Sequence, residues 1–180
     1  MHKFTATGRR ILGLCGTGML LSACTAPYKP LTLVPKVELE RFMGDWYVIA
    51  NIPTWIEKGA HNAVESYRLN ADGSIATTFS FRQDRFDGEL KTHRPTGFVV
   101  DKNSNAVWGM QFIWPFKADY RIIYVTPDYS QTVVAREKRD YVWIMARTPS
   151  IPEPDYLAIV ERLRQEGYDV GKLQKVPQQW

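Results

Sequence analysis

The residues able to do chemistry are few and scattered. Two cysteines and three histidines occur in the whole chain. His61 and His93 fall far apart in segments that read as loops, so they make a poor zinc or haem site and read as solvated or rim residues. No Gly-x-Ser-x-Gly, no recognisable Ser-His-Asp motif, and no phosphate-cradling glycine loop is present. An isomerase or hydrolase using a pocket would lack a nucleophile, so no enzyme activity, cofactor or metal is expected. Asp84, Asp87 and Glu89 mix with Arg82, Arg85 and Lys91, which reads as a charged turn tip. Glu65 is the carboxylate of interest. It shares a strand face with Tyr67 and Leu69, and on an inward face it would meet a polar head group.

The remaining reactive group is Cys24. It follows Leu21-Ser22-Ala23, and before that lie a basic segment (Lys3, Arg9, Arg10) and an apolar run from Ile11 to Leu21. That run is too short to span a bilayer as a helix and has the size of a signal-peptide core. The stretch resembles a bacterial lipobox, whose Cys is diacylated before cleavage. Residues 1–23 then form a lipoprotein signal peptide. Cys15 lies inside it, so the mature chain keeps one thiol, at its first position, and no internal disulfide. Several acyl chains hold a protein stably on a membrane where one does not. Thr25 after the Cys, by resemblance to bacterial lipoproteins, favours sorting to the cell outer membrane. Removing residues 1–23 lowers the net charge from +4 to +1, which leaves no electrostatic reason to bind nucleic acid. Residues 24–36, with three prolines, read as an acylated, extended tether that lets the body stand clear of the bilayer.

Elements must position whatever the body binds. Turn signals recur at Ala71-Asp72-Gly73, Asp87-Gly88, Asn103-Ser104-Asn105, Trp114-Pro115, Pro127-Asp128, Arg139-Asp140 and Thr148-Pro149. Between them lie segments rich in β-branched and aromatic residues. Period two places Ile75, Thr77, Phe79 and Phe81 on one face, Trp108, Met110, Phe112 and Trp114 on another, and Tyr120, Ile122 and Tyr124 on a third. Eight strands are predicted, over 44–52, 63–70, 74–83, 90–101, 105–114, 117–126, 131–137 and 141–147. Closing such a meander into an up-and-down antiparallel barrel removes its edges and encloses room for one small ligand. The class is therefore all-β. One α-helix follows: Ser150-Ile-Pro-Glu153 reads as a capping box, Tyr156, Ile159, Val160 and Leu163 form an apolar stripe, and Gly167 stops it. This helix is expected to pack outside the barrel, and a short strand is expected within 168–176.

Three segments carry a family resemblance. Gly44-Asp45-Trp46 opens the first strand, Thr126-Pro-Asp-Tyr-Ser130 is a turn, and Asp140 to Pro149 precedes the helix. Their order and spacing resemble the three motif regions of the lipocalins, over about residues 36–176. Trp55-Ile-Glu-Lys-Gly59 and Arg139-Asp-Tyr-Val-Trp-Ile are closer to the bacterial outer-membrane lipoprotein lipocalins. The resemblance implies a single lipocalin domain over 37–180, with Arg147 stacked on Trp46 at the closed end in a structural role. It also implies a cavity, with Trp55 on a lid. The inward candidates are Trp55, Glu65, Tyr67, Phe79, Phe81, Trp108, Phe112, Tyr120, Tyr124 and Trp143. A fatty acid or lysophospholipid is the implied ligand, with a membrane partner reached through N-terminal acyl chains. A filled scaffolding barrel and a pigment or tetrapyrrole carrier are the alternatives, and a homodimer is left open as a partner.

Overall fold

The computed structural model describes residues 29–180, so Cys24, the signal segment and the first part of the tether lie outside the described residues. The chain forms α1 (Leu39–Phe42), β1 (Gly44–Ile52), β2 (Ala60–Leu69), β3 (Ser74–Gln83), β4 (Leu90–His93), β5 (Thr96–Val99), β6 (Val107–Ile113), β7 (Phe116–Val125), β8 (Gln131–Ala135), β9 (Val142–Ala146), α2 (Glu153–Gln165) and β10 (Gln174–Lys175). All pairings are antiparallel, and β9 pairs with β1 to close the sheet. β4 and β5 together make one interrupted stave and β10 is an addition, so the barrel proper has eight staves.

The expected strand 90–101 is broken at Arg94-Pro95. Proline has no N–H to give the ladder, and its carbonyl accepts from Thr77 N–H instead (3.1 Å). β2 and β1 pair only near the closed end, from Gly44 opposite Tyr67 to Tyr47 opposite Val64. Beyond that point β10 takes the vacated side of β1, with Asn51 opposite Gln174.

Two cores result, because every barrel wall has an inside and an outside. The inner one holds Phe42, Trp46, Tyr67, Ile75, Phe81 and Trp108. The outer one lies between the wall and α2, where Ile159 and Leu163 pack on Ile49, Ile123, Val133 and Ile144. The helix stops as expected: Gly167 has φ +89°, and Tyr168 N–H reaches back to Leu163 O (3.0 Å). Its start differs. Pro152 is the N-cap with no side-chain capping bond, so Ser150 and Glu153 form no capping box.

The segment before α1 also differs from a free tether. Leu31, Val34 and Val37 are buried, Val34 N–H donates to Ile122 O (3.2 Å), and Val37 N–H donates to Ser104 O (2.7 Å). Apolar residues recurring every third position, the repeat of an extended polyproline-like chain, make this stretch part of the wall rather than a spacer.

Candidate ligand-binding site

The closed end is built from short-range parts. Gly44 turns the chain into β1 at φ +92°, a conformation costly for a residue with a Cβ. That turn brings Trp46 under α1, where its indole N–H donates to Phe42 O (2.8 Å). Arg147 leaves the end of β9 and lays its guanidinium 3.7 Å from the Trp46 ring centroid. The same group donates to the backbone carbonyls of Arg41, Met43 and Asp45 at 2.7–2.8 Å. One cation thus satisfies three carbonyls at the mouth of α1 while covering an aromatic face, a contribution of about 1–2 kcal/mol from the ring alone.

Above this plug the rings stack inward. Phe42 meets Trp108 edge-on at 5.4 Å, and Trp108 stacks flat on Tyr120 at 5.0 Å. Trp108 N–H is satisfied by Asn105 O (2.7 Å). These rings form the floor of a cavity of about 640 Å³ that opens at the other end of the barrel. Its walls include Phe79, Met110, Tyr120 and Trp143, with Trp55, Phe112 and Ile113 at the rim. Volumes of a few hundred to a thousand Å³ suit a small ligand.

Of the residues expected inward, Trp55, Glu65, Phe79, Phe112, Tyr120 and Trp143 border this cavity. Tyr67 and Trp108 are fully packed in the floor, and Phe81 is covered by Phe79 (5.2 Å). Tyr124 is a correction. It faces outward under α2, with Arg162 5.0 Å from its ring. The register slips between Ile122 and Tyr124, and a bulge turns every later residue to the other face. Trp114, expected on the same face as Trp108, stands outside the barrel because β6 slips register after Met110 and runs past the wall.

The cavity is mainly apolar, with Arg94, Asp119 and Arg136 also on its lining and a polar seam around Glu65. Tyr67 donates to the Glu65 carboxyl, and the Tyr67 and Tyr120 hydroxyls lie 2.7 Å apart. Burial raises the Glu65 pKa to about 8, with the nearby Glu57 charge adding to it. Burial likewise pushes Tyr120 well above 10, helped by Glu65. Glu57 descends from the β1–β2 lid. It accepts from Thr54 N–H and from Trp143 Nε1–H, both at 2.8 Å. Its pKa is also raised by burial, against the pull of those bonds.

Sequence reasoning missed Glu57, since a carboxylate beside Lys58 in a loop reads as solvated. The only signal was its place three residues after Thr54 in a lid segment. His93 reads in the sequence as a solvated or rim residue. It borders the cavity at the end of β4, stacked near Phe79 at 6.3 Å.

A closed barrel with a mainly apolar cavity, plugged at one end and lidded at the other, is a receptacle for a small hydrophobic molecule. The lipocalin-like domain model matches residues 37–178, and the chain belongs to the lipocalin family. It is 32% identical over 157 residues to outer membrane lipoprotein Blc of Citrobacter freundii, covering 86% of this chain and 88% of that one. It is 31% identical over 159 residues to temperature-induced lipocalin-1 of Arabidopsis thaliana, covering 83% and 84%. Among solved structures, insecticyanin from the tobacco hornworm Manduca sexta superposes with TM-score 0.65 at 13% identity, over 82% of this chain and 84% of that chain. At that identity the match speaks for the fold.

Proposed function

We propose that this protein is an exported carrier, acylated at Cys24 and anchored in the cell outer membrane, that binds a fatty acid or lysophospholipid by burying its acyl chain in the barrel. The cavity of about 640 Å³, walled by Phe79, Met110, Tyr120 and Trp143, is the observation that carries this reading. Each methylene taken from water contributes about 0.8 kcal/mol. Eight to ten of them give roughly 6–8 kcal/mol before ordering costs, which corresponds to roughly micromolar binding at best. A neutral Glu65 lets hydrocarbon lie beside it without stranding a charge. The relatives named outer membrane lipoproteins support the location, as does the lipobox-like Leu-Ser-Ala-Cys.

The test has two arms. Native mass spectrometry of the delipidated protein with palmitate and with a palmitoyl lysophospholipid should show a saturable complex with one ligand per barrel. An absorption spectrum before delipidation checks for a pigment. No saturable complex with either lipid overturns the carrier reading in favour of a scaffold. For the anchor, Cys24→Ser should leave the membrane pellet after a salt wash; salt-resistant retention refutes acylation at this residue.

A further inference from the structure

Ten large apolar side chains stand exposed among the described residues, and seven of them sit at one end of the barrel, the open end. Trp55 is in the lid, Phe86 and Leu90 flank the β3–β4 turn, and Phe112, Ile113, Trp114 and Phe116 make the β6–β7 tip. Ile113 is 74% exposed, Phe116 77%, Trp55 80% and Trp114 82%. Hairpin tips are ordinarily Gly, Asn, Asp or Ser. A contiguous aromatic tip held in water is unfavourable and marks a surface that something covers.

The start of the described chain lies at this same end. Arg139 and Glu137 belong to the β8–β9 turn, on the side of the barrel where the cavity opens. Arg139 donates to Lys29 O, and Leu31 N–H donates to Glu137 Oε1 (3.3 Å). Only from there does the chain descend the wall to Val37 and Ser104 at the closed end. Cys24 is five residues before Lys29, and five extended residues reach about 18 Å at most. An acyl anchor at Cys24 would therefore hold the mouth toward the bilayer, not away from it.

We propose that the open end docks on a phospholipid bilayer, with the Ile113–Phe116 tip and Trp55 set into the headgroup region and the cavity mouth facing the membrane. Indole and phenyl rings favour that layer, where one side is apolar and the other wet. Lys58, Arg94 and Lys117 adjoin these rings or the cavity rim and enter no ion pair among the described residues, which suits anionic headgroups. A ligand would then pass between bilayer and cavity without crossing water. That exchange rests on the carrier function proposed above, whereas the docking stands on the exposed tip and the chain path.

The test uses the mature protein mixed with an excess of phosphatidylethanolamine and phosphatidylglycerol vesicles, a fraction of the lipid carrying bromine high on the acyl chain. Bromine quenches tryptophan only in contact. The parent should be quenched, Trp114→Phe should lose at least half of the quenching, and Ile113→Ser/Phe116→Ser should lower it at least twofold with unchanged urea melts. Quenching that is absent, or unaltered in both variants, overturns the docking. So does a lipid-independent dimer that the serine variant dissolves, since a second copy would then cover the tip. Transfer of a fluorescent lysophospholipid from vesicles should speed up in proportion to vesicle concentration in the parent, and by at least fivefold less in the serine variant. Titration with soluble ligand in the absence of vesicles reads the carrier function separately, so failure of one is distinguishable from failure of the other.

Discussion

Glu65→Gln keeps the shape of a cavity-wall side chain and removes its charge. Unfolded, Glu65 ionises near 4.5; folded, its pKa lies at about 8 because burial penalises the carboxylate. Between those values the native state holds one proton that the unfolded state has released. Stability therefore falls as pH rises from about 4.5 to about 8 and is level beyond, the sign opposite to that of a salt-bridged acid. At 1.36 kcal/mol per pH step, the ceiling on this loss is roughly 5 kcal/mol. Glu65 borders a cavity open to water, and that water lowers the effect to about 2–3 kcal/mol. The groups that face it are Glu57, which adds to the shift, and the Tyr67 and Tyr120 hydroxyls. Glutamine still accepts from Tyr67. In urea melts at pH 5, 7 and 9, parent and variant should nearly coincide at pH 5 and diverge until the variant is more stable at pH 9. Acid-induced changes elsewhere cancel in the difference between the two. Parallel curves, or a parent that gains stability relative to Glu65→Gln as pH rises, would refute the assignment of a neutral Glu65. The same linkage predicts that an acyl ligand, which displaces cavity water from Glu65, binds more weakly above pH 8 in the parent but not in the variant.

Further expectations concern the two ends of the barrel. Trp46→Ala removes a fully buried ring and should cost roughly 3–5 kcal/mol. Arg147→Ala should cost less, and the double variant should fall short of the sum, because each loses the same contact; strict additivity in denaturant melts would contradict the stacking. Trp108→Ala should lower melting stability by roughly 3–5 kcal/mol and weaken lipid binding by disturbing the cavity floor. Trp55→Ala should weaken binding while changing stability by less than about 1 kcal/mol, as suits a lid ring with little packing; lipid titration that finds parent-like affinity would remove its lid role.

Local chemistry settled much of this protein in advance. Strand-forming segments between turn signals yielded all eight staves, and the apolar stripe ending at Gly167 yielded α2. Both are read within a dozen residues, where periodicity holds. The stacking of Arg147 on Trp46 was legible through the family motifs, since nothing local links residues so far apart in the chain. Period two failed where the ladder slipped. The bulge between Ile122 and Tyr124 sent Tyr124 outside, and the slip after Met110 carried Trp114 clear of the wall. A bulge costs the chain little and leaves almost no mark in sequence, yet it inverts the faces that follow. Residues 24–36 read as a tether because prolines suggest extension, and extension alone does not say whether a neighbouring wall is there to bury Leu31 and Val34. Glu57 became a cavity group only when the lid folded over Trp143. Barrel closure decided these things, because it joins elements more than eighty residues apart. It also gathered seven exposed apolar side chains from separate turns onto the rim around the cavity mouth.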